Sequence, residues 1–244
     1  MNQNQLENLK VLIIVPAYNE EEAIGLTIEG LLRLRSQMPG LDICVVNDGS
    51  KDHTADIVRQ YSEVVLLDLP NNLGIGGAVQ TGYKYADYNG YDIAVQFDAD
   101  GQHSAKELET IISPVAEGMC DMCIGSRFVE KTDYSGSPFR RMGIFYFERL
   151  IRAMSGQRIT DPTSGFRAVN RDVILLFSEA YPSDYPEPEV IIYLRRKKKR
   201  IEERAVQMHS RQGGESSITP FKSMYYMAKV TLSIVMQRLV GGRA

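Results

Sequence analysis

The sequence predicts an α/β protein built on a mostly parallel central sheet flanked by helices. Three observations predict it. Short, continuously apolar runs recur between Leu9 and Ile124. Each is followed by a turn and then by a stretch with helical spacing. Polar clusters fall just after the runs, where an open α/β sheet gathers ligands. Crossovers of this kind bury a parallel sheet on both faces.

The elements follow in order. Leu9 to Val15 (LKVLIIV) reads as a buried strand ended by Pro16. Glu20 to Arg35 carries Ala23, Ile24, Thr27, Leu31 and Leu34 at helical spacing, with Glu20, Glu21 and Glu22 where a helix start favours acids. Leu41 to Val46 is a second strand, ended by Asn47-Asp48-Gly49-Ser50. Thr54 to Tyr61 is a short helix and Val64 to Leu67 a third strand. Ala78 to Tyr88 is helical, Ile93 to Phe97 is a fourth strand, Ala105 to Val115 is helical, and Asp121 to Ile124 is a short strand. Beyond this, Arg140 to Met154 is an apolar helix and the proline-bearing Tyr181 to Glu189 a loop. Val190 to Leu194 and Arg204 to Met208 are expected to pair as strands. Phe221 to Val240 is a last helix whose polar side (Lys222, Lys229, Ser233) is narrow, so its wide apolar side should meet the body, a second subunit or a bilayer surface.

Composition removes several classes. Lys plus Arg is 28 against 31 Asp plus Glu, a net charge of -3, which excludes a uniformly basic nucleic-acid coat. Three cysteines cannot form a dense disulfide framework, and a reducing compartment is the simpler setting. The start, MNQNQLENLK, lacks a secretory signal, and no stretch of 18 apolar residues suggests a spanning helix. Charge is uneven, however. Arg195 to Arg211 holds eight Lys/Arg and two Glu, leaving an acidic remainder with one basic patch suited to anionic headgroups or a phosphorylated partner.

The strongest chemical signal is Phe97-Asp98-Ala99-Asp100 after an apolar strand. Residues two apart in an extended segment point the same way, so Asp98 and Asp100 are candidates to hold a hard divalent cation, Mg²⁺ or Mn²⁺, beside a diphosphate. His103 is a third candidate ligand or a diphosphate contact. Pro16-Ala17-Tyr18-Asn19-Glu20 and Asn47-Asp48-Gly49-Ser50 follow the first two strands. Tyr18 can pack on a base, and Asp48 can accept from a base or ribose donor. The glycines of Asn71 to Gly77, Gly76 among them, permit close backbone approach at a helix start that favours phosphate. Asp161, in Thr160 to Arg167, is a candidate base. Arg127, Arg140, Arg141, Arg167 and Arg211 are candidate phosphate partners, Arg211 being accompanied by glycines and serines.

Taken together, VPAYNE (15–20), VVNDGS (45–50), NLGIGGAVQTG (72–82), FDADGQH (97–103), GSRF (125–128), DPTSGFRAVN (161–170) and RQGGESS (211–217) resemble the inverting family 2 glycosyltransferases of GT-A fold. The closest look is to the polyprenyl-phosphate sugar synthases, the dolichyl-phosphate mannosyltransferase-like branch. The resemblance covers roughly residues 9–217. It implies a catalytic domain over 1–217 and a C-terminal amphipathic helix over 218–244.

It also implies a nucleotide-diphosphate sugar donor, with UDP-glucose or UDP-N-acetylglucosamine as first expectations, and a polyprenyl monophosphate acceptor. By the same resemblance Asp100 is the main metal ligand, assisted by Asp98. Pro16, Tyr18, Glu20, Asp48, Gly76 and Arg127 line the donor pocket, Asp161 to Gly165 lies on the acceptor side, and Arg211 is near the two phosphates. Asn47 and Ile75 depart from the family's usual aspartate and lysine. The implied setting is cytoplasmic and peripheral to the inner membrane face, with a small integral membrane protein or a second copy as possible partners and no nucleic acid. Two other readings compete. One is a transferase using a sugar hydroxyl as nucleophile, with Asp161, Glu187 or Glu189 as base. The other is a non-catalytic nucleotide-binding or membrane-scaffold protein.

Overall fold

A computed structural model describes residues 9–36, 38, 40–129, 138–183, 186–208 and 227–236, with the backbone alone at 138–141. Four parallel strands open the chain: β1 (Val11–Ala17), β2 (Leu41–Asn47), β3 (Val64–Asp68) and β4 (Ile93–Gln96). Between them run α1 (Ile24–Arg35), α2 (Thr54–Val58) and α3 (Gly74–Tyr88). Then come α4 (Leu108–Ala116), β5 (Met122–Ser126), α5 (Pro138–Ser155), β6 (Arg167–Asn170), α6 (Arg171–Glu179), α7 (Pro186–Arg196) and β7 (Ile201–Ala205). Residues 227–236 form a further helix.

The seven strands lie in the order β3-β2-β1-β4-β6-β5-β7, and only β6 runs against its neighbours. This is a GT-A-like α/β fold with a largely parallel sheet.

The continuous apolar runs are explained by burial on both faces: all seven residues of β1 are buried. Alternate residues serve opposite layers. Leu12 and Ile14 join Val79 and Tyr83 of α3, with Phe147 of α5, Val190 of α7 and Val230 and Ile234 of the last helix. Val11, Ile13 and Val15 join Ile24 and Ile28 of α1 and Leu108 and Ile111 of α4. The last helix therefore seats one side on the body. Among the described residues, no helix is long and apolar enough to cross a membrane.

One expectation is corrected. Val190 to Leu194 is not a strand but the middle of α7. A short apolar run does not separate strand from buried helix by periodicity. Here Pro186 opens the helix, Glu187 and Glu189 occupy its first turn, and Arg195 and Arg196 its last. The following strand starts earlier than expected, at Ile201, and pairs in parallel with β5 rather than with 190–194.

The basic run lies apart from the acidic pair. Met122 of β5 faces Ile201 of β7, and Asp121 and Met122 donate their amides to the Arg200 carbonyl. Arg195 to Arg200 thus lie at the sheet end opposite the one where Asp98 emerges. A five-residue strand separates the two ends by about 17 Å, so this cluster does not border the acidic pair.

Candidate active site

The C-terminal ends of β2, β1 and β4 are neighbours in the sheet, so Asp48, Tyr18 and Asp98 leave successive strands roughly 5 Å apart. Local hydrogen bonds fasten these ends together. Asp48 donates its amide to Ala17 O, and Asn19 donates its amide to the Ser50 hydroxyl. Asn19 adopts the left-handed conformation (φ 55°) and accepts from the Lys51 amide. The Glu20 amide donates to Thr54 Oγ1, and Thr27 Oγ1 of α1 donates to Ala99 O, tying that helix to the acidic turn. An open cleft lies beside these ends, lined by Asn19, Glu20, Glu21, Glu22, Lys51 and Asp52.

Asp48 is buried and its Oδ1 accepts from the Leu73 amide at 2.7 Å. Burial raises its carboxyl, against the pull of the Leu73 and Gly74 amides. Asn47 has a physical reason to be asparagine. Its Nδ2 donates to Asp68 Oδ1 at 2.7 Å, a contact an aspartate would convert into repulsion between carboxylates.

The acidic pair follows β4 directly. Asp100 accepts from the Gln102 amide at 3.0 Å, in a turn that Gly101 closes at φ 74°. The Asp98 side chain is 35% exposed. Its Oδ1 faces Gln96 Nε2 at 3.5 Å, while the buried Gln96 Oε1 has no hydrogen-bond partner among the described residues. Gly165 backs it closely: a Cβ there would lie 3.0 Å from both Asp98 carboxylate oxygens.

His103 sits beneath this carboxylate. Its Nδ1 accepts from the Asp98 amide at 3.0 Å, which leaves the proton on Nε2, 3.5 Å from Asp98 Oδ2. The ring stacks on Phe166 and meets Phe97 edge-on. Burial lowers its pKa, with Asp98 and Asp100 opposing, so the neutral ring is favoured. Both nitrogens face Asp98, so in this geometry His103 supports the carboxylate. Among the described residues no three His, Cys, Asp or Glu side chains are arranged to hold a metal.

Packing gives further candidate residues internal partners. Asp161 is fully buried and receives Arg127 Nε at 2.6 Å and Nη2 at 2.7 Å, one on each oxygen. Arg127 is itself 3% exposed. The two form a bidentate internal brace. Gly76 is also a packing position. Its amide donates to Ser183 O, and a Cβ would fall 2.0 Å from Pro182 O. Its amide is therefore not offered to a phosphate. Pro16 lies buried within β1 opposite Val46. Arg211 and the side chains of Arg140 and Arg141 lie outside the described residues.

The sequence reading missed Glu203. This residue of edge strand β7 accepts from the amides of Thr160 and Asp161 and from the Thr160 hydroxyl, holding the loop that presents Asp161 to Arg127. Burial raises its carboxyl, and the two amides oppose. A carboxylate in the short strand Ile201–Ala205 was the available signal, but only the pairing with β5 shows which face it takes. Arg167 is likewise internal: its Nε donates to Ser164 O, Nη1 to Glu187 O and Nη2 to Pro162 O. Glu187 lies in the same region. Burial raises its carboxyl, Arg167 opposes, and Asp98 adds to the rise.

A GT-A sheet with two carboxylates after β4 and a polar cleft after β1 and β2 is the architecture of a nucleotide-sugar transferase. Residues 12–176 match the family model for glycosyl transferase family 2, and the chain belongs to that family and is an enzyme of it. It is similar to the UDP-N-acetylglucosamine–dolichyl-phosphate N-acetylglucosaminyltransferase of Methanococcus voltae, 28% identical over 93% of this chain and 98% of that one. It is 35% identical to the undecaprenyl-phosphate mannosyltransferase of Micrococcus luteus over 68% of each chain. In fold it is similar to glucosyl-3-phosphoglycerate synthase from Mycobacterium tuberculosis, solved with Mn²⁺, UDP-glucose and phosphoglyceric acid. That match has a TM-score of 0.74 at 17% identity and covers 98% of this chain and 84% of that one.

Proposed function

We propose that this glycosyltransferase moves a sugar from a UDP-sugar to a polyprenyl monophosphate at the inner membrane face, with inversion at the anomeric carbon. The observation that carries the reading is the acidic pair Asp98 and Asp100 just after β4, at the sheet end where Tyr18 and Asp48 follow β1 and β2. Two relatives that match along most of their length or two thirds of it use dolichyl or undecaprenyl phosphate by name, which favours this acceptor class. The phosphoglycerate acceptor belongs to a protein alike in fold at 17% identity.

The residues fit a hard divalent cation. Mg²⁺ and Mn²⁺ take oxygen ligands, and Mg²⁺ commonly binds through one or two carboxylates plus substrate phosphates, so a third protein ligand is not required. Asp100 and Asp98 would hold it, and it would supply positive charge to the departing diphosphate. Tyr18 and Asp48 orient the nucleoside, and Gly165 and His103 fix the Asp98 carboxylate. A lipid phosphate is already a nucleophile and needs no strong base. This agrees with Asp161 being bound to Arg127 and with Glu189 accepting the Ser233 hydroxyl.

One observation favours a second reading, attack by a sugar hydroxyl. Glu187 is a carboxyl raised by burial and within electrostatic reach of Asp98, as a base for that reaction would be. A panel of nucleotide sugars incubated with undecaprenyl phosphate, Mg²⁺ or Mn²⁺ and detergent, followed by mass spectrometry, separates the two. A mild-acid-labile lipid phosphosugar supports the lipid acceptor. A glycosidic disaccharide with an added sugar acceptor, and no lipid product, refutes it. Asp100→Ala should fold normally and lose metal-dependent turnover; retained turnover would refute the site.

A further inference from the structure

The side of the molecule formed by α5 and the helix at 227–236 leaves large apolar groups in solvent. Met142 is 58% exposed and Phe145 53%, in the first half of α5; Leu232 is 64% exposed and Met236 49% on the last helix. The two helices are neighbours, since Tyr146 and Thr231 share a hydroxyl hydrogen bond at 2.8 Å. Their opposite sides, Phe147 and Ile151 with Val230 and Ile234, are buried in one core layer. The exposed groups therefore form one ridge on a rigid base.

The charge around the ridge selects its occupant. α5 (PFRRMGIFYFERLIRAMS) has four arginines and one acid, in a chain of net charge -3. That acid, Glu148, is held by Arg158 at 2.8 Å. Arg149 lies 4.5 Å over the Phe145 ring, and Arg152 is exposed in the next turn. Residues 227–236 contain Lys229 and no acid. A second copy docked on the same face would bring like charges together. An anionic bilayer surface matches both features, because apolar and aromatic groups enter the acyl boundary while arginines stay at headgroup level.

We propose that the ridge Met142, Phe145, Tyr146, Leu232 and Met236, rimmed by Arg149 and Arg152, is the surface by which this protein sits on an anionic membrane. The basic turn Arg195 to Arg200 is not that surface. The proposal deepens the lipid-acceptor reading and rests on it for its purpose. α5 ends toward Gln157, whose Nε2 donates to Ile201 O at the start of β7, so its first half points away from the end where Arg200 lies. Seating on the ridge keeps Asp98 nearer the bilayer; seating on the basic turn would hold it a sheet's length away.

The test is flotation of the full chain with vesicles of phosphatidylcholine, with and without phosphatidylglycerol. Wild type should float with the anionic vesicles and less with the neutral ones. Phe145→Ser combined with Leu232→Ser should weaken partitioning at least about tenfold. Arg149→Gln with Arg152→Gln should weaken it only on anionic vesicles, and Lys197→Gln with Lys198→Gln should leave it nearly unchanged. Circular dichroism melts check that each variant folds.

Equal loss in the 197/198 variant, or unchanged flotation in the 145/232 variant, overturns the proposal. So does a wild-type dimer in light scattering that the 145/232 variant dissolves. Turnover in detergent separates this from the catalytic reading. Ridge variants should keep it, and a wild type that turns over lipid phosphate in detergent but never floats refutes the ridge alone. Flotation through the ridge without lipid-phosphate turnover refutes the catalytic reading alone.

Discussion

Gly165→Ala puts the geometry of the acidic pair to a quantitative test. Gly165 lies outside the left-handed region, so alanine meets no backbone penalty there. Its Cβ would stand 3.0 Å from both Asp98 oxygens and 2.9 Å from Gln96 Nε2, where ordinary contact begins at 3.4 Å. The carboxylate must therefore retreat by about 0.4 Å, and His103 behind it limits where it can go. A displacement of about 1 Å can cost a hundredfold in rate, so a few tenths should lower kcat/KM about tenfold, or about 1.4 kcal/mol of transition-state stabilisation. Stability should fall by no more than about 2–3 kcal/mol. Crowding costs about 1–3 kcal/mol, and the lost chain entropy of the unfolded state returns about 0.4–1 kcal/mol.

The assay is steady-state kcat/KM for the donor at saturating Mn²⁺, beside a thermal melt. Gly30→Ala, with nothing within 4 Å of the added carbon, is the control and should keep full activity. Gly165→Ala activity within twofold of wild type would refute the reasoning, since it would mean that the position of Asp98 does not govern catalysis. An equal loss in the Gly30 control would refute it as well.

Three other outcomes follow from the packing. Asp161→Asn leaves the buried Arg127 without its counter-charge and should cost about 3–5 kcal/mol, lowering Tm by more than about 6 °C; the double change Arg127→Met with Asp161→Leu should be milder than either single one in denaturant melts. Gly76→Ala drives a methyl into the Pro182 and Ser183 carbonyls, where only backbone can yield, and should lower the urea midpoint well beyond Gly30→Ala. Asp121 is opposed by burial, but hydrogen bonds from the Arg200 amide and Asn170 lower its pKa below 3.8. Its stabilisation is thus present above pH ~4 and lost as pH falls through the lowered folded value. Urea melts of Asp121→Asn should show a shallower acid slope, and an identical slope would count against that assignment.

The strand ends show how much of the site was legible. Apolar runs closed by Tyr18, Asp48 and Asp98 reveal both the parallel sheet and the polar edge, because a strand buried on both faces must be continuously apolar and its functional groups must wait until it ends. The same logic failed at 190–194, where α7 is buried enough to read as a strand until Pro186 and the helix-end charges are weighed. Glu203 was missed because an edge-strand carboxylate has meaning only once its pairing is known.

The sequence by itself determined the alternation of elements, the family and the acidic pair, since periodicity and local motifs are written in neighbouring residues. Only the tertiary structure decided what distant residues do to one another. It paired Arg127 with Asp161 across 34 positions, set His103 beneath Asp98, and put Ser183 against Gly76. It also placed the Arg195–Arg200 turn at the far end of the sheet from Asp98. The physical reason is that a charged side chain reads alike in a one-dimensional string whether it meets solvent, a ligand or a buried partner. Burial and strand direction, which separate these fates, exist only after the chain has packed.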